Sequence, residues 1–298
     1  MHDLNPASGT IPWRYFKQFI APAADRFAII KSILEETAVD YSVLQTAESR
    51  HFIVSPSLPE QIYLRHPPIV LVAHYDRAEG SPGANDNSVG VFMLLETAFK
   101  LKSDSAKNWI IIFTDKEELK PGESIQSQGS YSLAEKMKKS MLENAKIFSF
   151  DACGTGDTII ISNTVEYLLK QEGGGDKLLE SVMELRKIAL DTATNLRISK
   201  VLLAPTPFSD DVGFFRAGLA AQTVTMLPSA ECERLVTELR RHHYFTNTII
   251  SAEFRKAGRI QFIPKTWSYL NTPGDSYLRL TPQHFRIVTR FAEALCKA

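Results

Sequence analysis

Three short apolar runs, each followed by acidic residues, constrain the fold of this chain more than any other feature of its sequence. The runs are found in "PPIVLVAHYD", "NWIIIFTD" and "KIFSFDACG". A continuous apolar run of this length is typical of a strand that is buried on both faces. Strands of this kind belong to parallel sheets that helices cover on both sides, so the runs predict an α/β fold.

Helical segments separate the predicted strands. The first strand is followed by "NSVGVFMLLETAFKLKS", for which Asn87 or Ser88 is a suitable N-cap. Further helices are predicted for "SYSLAEKMKKSMLENA" and "TPQHFRIVTRFAEALCKA", and further strands for "YSVLQTAESRHFIVSP", "DTIIIS" and "LAAQTVTML". This alternation predicts a three-layer αβα sandwich around a mostly parallel, mixed sheet. We expect one domain over residues 1–298, with a helical segment at about residues 1–40 and an insertion at about residues 229–267.

The composition narrows the class of partner. Of the 298 residues, 44% are hydrophobic, which is enough for a sizeable core. Lys plus Arg and Asp plus Glu both number 34, so no excess charge favours a nucleic-acid or anionic-membrane partner. No run approaches the roughly 20 apolar residues of a membrane span, and the N-terminus lacks the pattern of a secretion signal. The three cysteines are odd in number and widely spaced, so we expect a cytoplasmic protein.

Acidic residues and a histidine follow the predicted buried strands. His74 and Asp76 follow the first strand, Glu117 and Glu118 the second, and Asp151 the third. Ligands of open α/β sheets bind at the carboxyl ends of parallel strands, so these side chains are expected to converge. A cluster of carboxylates is costly unless a cation compensates its charge. Imidazole and carboxylate ligands together favour zinc.

Several motifs in one order carry a resemblance to a known family. The motifs are "VAHYD", "GANDNSVGV", "TDKEE", "GSYSLAE", "FSFDACG", "PFSDDVGFFRAGLAA" and "LNTPGDS". Together they resemble the co-catalytic zinc exopeptidases, a family that includes bacterial leucyl aminopeptidases, glutamate carboxypeptidases and glutaminyl cyclases. The resemblance covers the chain from about residue 25 to its end.

The resemblance implies a role for each acidic residue. His74, Asp86 and Glu118 would hold one zinc ion, and Asp86 would bridge to a second ion that Asp151 also binds. Asp76 would orient the imidazole through its other nitrogen. Glu117 would be the general base, which takes a proton from water and gives it to the leaving amine.

Asn271 is a departure from the family pattern. In "SYLNTPGDSY" it stands where the family has a histidine ligand of the second metal, and an amide oxygen is a poor substitute for imidazole at zinc. Three interpretations follow: one zinc ion is enough, another ligand replaces the histidine, or the chain is a catalytically impaired scaffold. The candidate replacement ligands are His242, His243 and Cys153.

Substrate contacts are also suggested by the resemblance. Family members place a tyrosine near the substituted histidine to stabilise the oxyanion, and Tyr269 or Tyr244 is a candidate here. Asp210 or Asp211 could bind the α-amine of a substrate, or could cap the following helix. The segment "LKPGESIQSQ" after Glu118 is longer than is usual in the family and could reshape the rim of the pocket.

These observations predict a metal-dependent aminopeptidase that uses one or two zinc ions and acts on small peptides. A glutaminyl cyclase-like acyltransferase is the alternative enzyme, although the missing histidine at position 271 argues against it. The scaffold is the non-enzyme alternative. The presence of many acidic residues whose burial is energetically unfavourable argues against a scaffold, because a chain without catalytic function would be expected to lose them.

Overall fold

An eight-stranded mixed sheet forms the centre of the chain, whose fold is given by a computed structural model. The structure describes residues 11–46, 48–56, 66–104, 106–173, 175–242, 244–250 and 263–297. The strands are β1 (Tyr41–Gln45), β2 (Arg50–Val54), β3 (Ile69–His74), β4 (Trp109–Thr114), β5 (Lys146–Phe150), β6 (Thr158–Ser162), β7 (Val201–Ala204) and β8 (Ala221–Leu227). Their order across the sheet is β1-β2-β4-β3-β5-β8-β6-β7.

The three predicted buried strands are neighbours at the middle of this sheet. Strand β3 pairs in parallel with β4 on one side and with β5 on the other. Strands β5 and β8, and β6 and β7, are also parallel, whereas β1–β2, β2–β4 and β6–β8 are antiparallel. His74 pairs with Thr114 at the carboxyl ends of β3 and β4, so the residues that follow these strands emerge at one edge.

Helices cover the sheet and connect its strands. The helices are α1 (Phe16–Phe19), α2 (Arg26–Glu36), α3 (Val89–Ser103), α4 (Gly129–Met137), α5 (Thr164–Glu172), α6 (Asp176–Asn195), α7 (Asp210–Arg216), α8 (Ser229–Arg241), α9 (Phe245–Ile250), α10 (Lys265–Tyr269) and α11 (Phe285–Leu295). Short 3-10 turns lie at Pro12–Tyr15, Ile125–Ser127, Tyr277–Arg279 and Pro282–His284. Among the described residues, no helix combines the length and the apolar character that a membrane span needs.

The side chains of β3 show how the layers are built. Successive residues of a strand point to opposite faces of a sheet. Leu71 and Ala73 join a large apolar core with α2, α3, α6 and α11, whereas Val70 and Val72 pack with α4 and α7 on the other face. The predicted three-layer αβα sandwich with a mixed sheet is therefore confirmed.

The segment predicted as an insertion forms α8, α9 and α10 in its described part, while residues 251–262 lie outside the described residues. Its apolar side chains pack against the face of the sheet that carries Ile160 and Leu227. They include Cys232, Leu235, Phe245 and Trp267. The segment is thus part of a packed layer, and Trp267 at its end is almost fully buried.

Phe92 on α3 provides a test of the larger core. Its ring is fully buried and lies 5.1 to 5.5 Å from the rings of Trp13, Phe16 and Phe19. We expect Phe92→Ala to lower the free energy of unfolding by about 3–5 kcal/mol in urea denaturation, because it leaves a cavity. The control Leu278→Ala, at a side chain that is 78% exposed, should change it by less than about 0.5 kcal/mol. Equal effects of the two substitutions would contradict the packing described here.

Candidate metal centre

His74, the last residue of β3, lies among three carboxylates. Its imidazole is fully buried. Nδ1 is 3.4 Å from Asp76 Oδ1, and Nε2 is 3.2 Å from Asp86 Oδ1 and 3.6 Å from Asp151 Oδ1. The ligand atoms of His74, Asp86 and Asp151 all lie within 4.8 Å of one another, so these three side chains could hold a metal ion. The strand ends therefore converge as predicted, but the side chain grouped with His74 and Asp86 is Asp151, and not Glu118 as the resemblance implied.

The turn that carries Asp86 is fixed from two sides. Asp86 lies in an irregular turn over Ala84–Ser88, just before α3, in which the backbone dihedral angles of Asp86 and Asn87 are not helical. The carboxylate of Asp275 accepts hydrogen bonds from the backbone N–H groups of Asn85 at 2.9 Å and Asp86 at 3.0 Å. On the other side, the amide of Asn87 donates to the carbonyl oxygen of Phe150 at 2.7 Å, at the end of β5. The turn is thereby tied both to the C-terminal segment and to the strand that precedes Asp151.

Ser88 has a different role from the one that the sequence suggests. It precedes α3 at the N-cap position, but its side chain makes no capping hydrogen bond. Its hydroxyl donates to the carbonyl oxygen of Gly83 instead. The prediction that Asn87 or Ser88 caps the helix is therefore wrong, because both side chains are used to shape the turn.

Asp76 connects the histidine to the glutamate pair. Its two carboxylate oxygens accept the backbone N–H groups of Glu117 at 3.1 Å and Glu118 at 3.0 Å. Burial by itself would raise the pKa of Asp76, but the interactions with His74 and with these two N–H groups lower it below its usual value. Asp76 therefore remains ionised, next to the imidazole nitrogen that it is predicted to orient.

Glu117 is buried, and its neighbour Glu118 is half-buried with one buried carboxylate oxygen, Oε1. Burial raises the pKa of Glu117 well above its usual value, and the charges of Glu118, Asp151 and Asp210 raise it further. Burial also raises the pKa of Glu118, with Asp86 as the largest charge contribution. Loss of solvation is the largest cause of both shifts, and repulsion among the carboxylates adds to it; a bound cation would oppose both.

Gln128 holds the side chain of Glu117 and was missed by the sequence prediction. Its Nε2 donates to Glu117 Oε1 at 3.1 Å and to the Glu117 carbonyl oxygen at 3.2 Å, and the residue is only 3% exposed. Gln128 ends the long segment "LKPGESIQSQ", which the sequence marked only as a possible change in the pocket rim. A single sequence does not reveal which of its polar residues turns inward.

Unpaired polar atoms mark the place where a cation fits. Among the described residues, the buried atoms of this region that lack a hydrogen-bond partner include both ring nitrogens of His74, Glu118 Oε1, Asp151 Oδ1 and Asn271 Oδ1. Each such buried atom costs about 1–3 kcal/mol. One imidazole together with several carboxylates is the ligand chemistry of zinc. The residues present therefore fit the predicted metal.

The pKa of His74 also indicates that this site attracts positive charge. Burial lowers the pKa of its imidazole, but interactions with Asp151, Asp76 and Asp86 outweigh burial and raise the pKa well above its usual value. The carboxylates thus attract a positive charge to this place, and a zinc ion supplies that charge while leaving the imidazole neutral as a ligand.

A cavity of about 240 Å³ lies over these acids. Its polar lining includes Asp86, Glu117, Glu118, Gln128, Asp151 and Asn271. Its apolar lining includes Leu119, Ile125, Phe208, Trp267 and Leu270. The cavity therefore combines a carboxylate cluster with an apolar wall.

Asn271 lies in the cavity lining. The predicted replacement ligand His242 is not in the described cavity lining and contacts side chains elsewhere. His242 Nε2 lies 3.5 Å from Glu238 Oε2, and its ring is 5.3 Å from that of Tyr244. His243 lies outside the described residues.

The thiol of Cys153 is also not placed as a ligand. It is fully buried and points at the carbonyl oxygens of Asp151, 3.5 Å away, and Val224, 3.3 Å away. Burial raises the pKa of this thiol well above its usual value, so it favours the neutral form. The described cavity lining contains Asn271, but neither His242 nor Cys153.

None of the predicted substrate contacts, Asp210, Asp211 and Tyr269, belongs to the described cavity lining. The ring of Tyr269 lies 3.5 Å below the guanidinium carbon of Arg279. Asp210 and Asp211 are buried in the first turn of α7, where Asp210 accepts a hydrogen bond from the Thr114 hydroxyl at 2.7 Å. Burial raises the pKa of Asp210 to about 6 and that of Asp211 to about 7.

The sequence profile of peptidase family M28 matches residues 58–295, and the chain belongs to this family. The predicted family is thereby confirmed, and family membership supports a metallopeptidase-type enzyme. No curated protein matches the chain by sequence.

Solved structures share the fold at low sequence identity. A zinc aminopeptidase from Bacillus subtilis is 19% identical with a TM-score of 0.51, over 83% of this chain and 48% of the aminopeptidase. This chain thus spans about half the length of that protein. A Zn-dependent exopeptidase from Parabacteroides distasonis is 15% identical and glutaminyl cyclase from Porphyromonas gingivalis 16% identical, each with a TM-score of 0.63 over 99% of this chain and 98% of theirs.

Zinc binding is tested by thermal unfolding with and without added zinc. Zinc at about 100 times its dissociation constant should stabilise the chain by about 2.7 kcal/mol, because only the folded state holds the ligands together. Asp86→Asn removes a carboxylate from the cluster and should abolish most of this gain. The control Asp104→Asn, at a surface ion pair with Lys297, should retain it. The same zinc-dependent gain in the Asp86 variant and in the wild type would contradict the assignment of this ligand.

Proposed function

We propose that the chain is a zinc-dependent aminopeptidase that removes N-terminal residues from small peptides. The observation that carries the proposal is the buried group of His74, Asp86 and Asp151, which shares one cavity with the glutamate pair Glu117 and Glu118. Membership of peptidase family M28 supports the same class of reaction.

The ligands in this proposal are His74, Asp86 and Asp151, whose ligand atoms lie within 4.8 Å of one another, with Glu118 beside them in the cavity lining. When bound, zinc polarises the scissile carbonyl and makes water a stronger acid. Asn271 offers a neutral oxygen where the family has a histidine, so we propose that one zinc ion at the complete half of the site is sufficient for hydrolysis.

Glu117 acts as the general base in the proposed reaction. It accepts a proton from the attacking water and passes it to the leaving amine. The amide of Gln128 holds one carboxylate oxygen and thereby limits the orientations that Glu117 can adopt.

The lining of the cavity suggests the substrate end that it accepts. Carboxylates favour the protonated α-amine of a peptide over its C-terminal carboxylate. Phe208, Trp267 and Leu270 provide apolar surface for the N-terminal side chain. The volume of about 240 Å³ suits one residue rather than a folded protein.

A glutaminyl cyclase-like acyltransferase is the second candidate. The observation in its favour is that the Porphyromonas gingivalis cyclase matches this chain over nearly the full length of both. The asparagine at position 271 argues against it, because those enzymes use a histidine there as a zinc ligand. Mass spectrometry of a peptide that begins with glutamine separates the two reactions, since a cyclase releases ammonia whereas an aminopeptidase releases the amino acid.

The proposed activity is tested by the release of amino acids from short peptides. We expect chelation to abolish release, and Glu117→Gln to lower kcat by about 10²- to 10⁴-fold because the base is lost. Glu123→Gln is the matched control, since Glu123 lies on the same segment but contacts Lys120 and Lys116. Release that survives both chelation and Glu117→Gln would refute the mechanism.

The role of Gln128 is tested separately. We expect Gln128→Ala to lower kcat by about 10- to 100-fold, because a hydrogen bond to a charged group contributes about 1.5–3 kcal/mol. Zinc affinity should be unchanged. The control Gln126→Ala removes an exposed glutamine from the same turn and should have no effect on kcat. A change in KM alone, or equal effects of both variants, would show that Gln128 does not hold the base.

A further inference from the structure

Arg26, the first residue of α2, is a buried arginine with an unusual set of partners. It is only 6% exposed. Its guanidinium donates hydrogen bonds to the backbone carbonyl oxygens of Phe19 (3.3 Å), Tyr75 (3.0 Å), Asp76 (3.0 Å), Pro82 (2.8 Å) and Gly83 (3.5 Å), and to the hydroxyl of Ser88 (3.0 Å). A guanidinium carries five N–H donors in a rigid fork, and this one uses its fork almost entirely on the backbone.

All but one of these acceptors belong to the metal loop, which we define as residues 75–88. The loop starts directly after His74 and contains Asp76 and Asp86. Nη1 contacts the beginning of the loop, at residues 75 and 76, and Nη2 contacts its end, at residues 82, 83 and 88. One side chain thus joins the two ends of the loop at a fixed separation.

The positive charge of Arg26 also helps to hold the metal loop in place. Burial lowers the pKa of its guanidinium to about 9, so the group remains charged at neutral pH. Asp76, Asp86 and Asp275 attract this charge. The guanidinium therefore reduces the electrostatic repulsion of Asp275 with Asp76 and Asp86 of the metal loop.

Arg26 and Asp275 form hydrogen bonds with different backbone groups of the loop. Asp275 accepts backbone N–H groups at Asn85 and Asp86, whereas Arg26 donates to carbonyl groups. Buried backbone groups without a partner are costly, so each of the two charged side chains limits how far the loop can move.

Arg26 lies in the part of the chain that precedes the family match at residues 58–295. Its helix is capped by Asp25, whose carboxylate accepts the N–H of Ala28 at 3.0 Å, and is anchored by the fully buried Ile30 and Ile33. Arg77 of the loop in turn donates to the Ala21 carbonyl oxygen at 3.1 Å. The N-terminal segment and the metal loop therefore hold each other.

We propose that Arg26 is a positioning residue of the zinc site, which sets zinc affinity by holding the metal loop in its ligand-binding shape. The proposal rests on zinc binding as described under the proposed function, but does not depend on the peptide reaction. Arg26 touches neither the metal ligands' oxygen atoms nor a substrate, and it acts through the backbone of residues 75–88.

The test is the zinc affinity of the full chain, measured by competition with a chromophoric chelator. Arg26→Lys keeps the positive charge, but its single ammonium cannot bond to both ends of the loop. We expect it to weaken zinc binding by about 10- to 100-fold, as is typical when a partner of the ligands is lost. Circular dichroism in the near ultraviolet should still show a folded chain.

Ile33→Ala is the matched control on the same helix. It removes core packing and should lower the melting temperature, yet it leaves every contact of Arg26 in place. We expect its zinc affinity to stay within about twofold of the wild type. Should Arg26→Lys fail to fold, Ser88→Ala removes one loop contact of the guanidinium and should weaken zinc binding by about three- to tenfold.

Two results would overturn the proposal. One is unchanged zinc affinity in Arg26→Lys, or in Ser88→Ala where that variant is used. The other is an equal loss of affinity in Ile33→Ala, which would assign the effect to stability alone. A wild-type chain that binds no zinc would refute the metal site itself, whereas normal zinc binding without peptide hydrolysis would refute only the proposed activity.

Discussion

The repulsion among buried carboxylates at the carboxyl edge of the sheet is the constraint on which the rest of the structure depends. Five acids follow the central strands along the chain, namely Asp76, Asp86, Glu117, Glu118 and Asp151. Burial raises the pKa of both glutamates well above the usual value, whereas the pKa of His74 is raised by the carboxylates around it. Such a cluster is stable when a cation shares its charge, and a zinc ion meets that need with the ligand types present.

Directed hydrogen bonds keep these acids in place without neutralising them. Asp76 is fixed by two backbone N–H groups, the turn of Asp86 by Asp275 and Asn87, and Glu117 by Gln128. The supports come from distant parts of the chain, because Asp275 lies near the C-terminus and Arg26 near the N-terminus. The parallel strands bring the ligands to one edge, and the two terminal segments hold them there.

The sequence predicted the features that depend on local pattern. The apolar runs identified β3, β4 and β5, and the acids after them identified the edge where His74, Asp86 and Asp151 meet. The supporting residues could not be predicted, because hydrogen bonds such as that of Arg26 to Pro82 join segments 56 residues apart. Tyr269 illustrates the same limit. It lies close to Asn271 in the sequence, but this does not reveal that its ring packs against Arg279.

X-ray diffraction from crystals grown with zinc, recorded on both sides of the zinc absorption edge, tests the central claim most directly. The account predicts an anomalous difference peak enclosed by His74 Nε2 and the carboxylates of Asp86 and Asp151, where the unpaired buried atoms lie. A second peak beside Asn271 would show that an amide can complete the other half of the site. Full diffraction without any peak among these side chains would contradict the claim that a metal ion compensates the buried carboxylates.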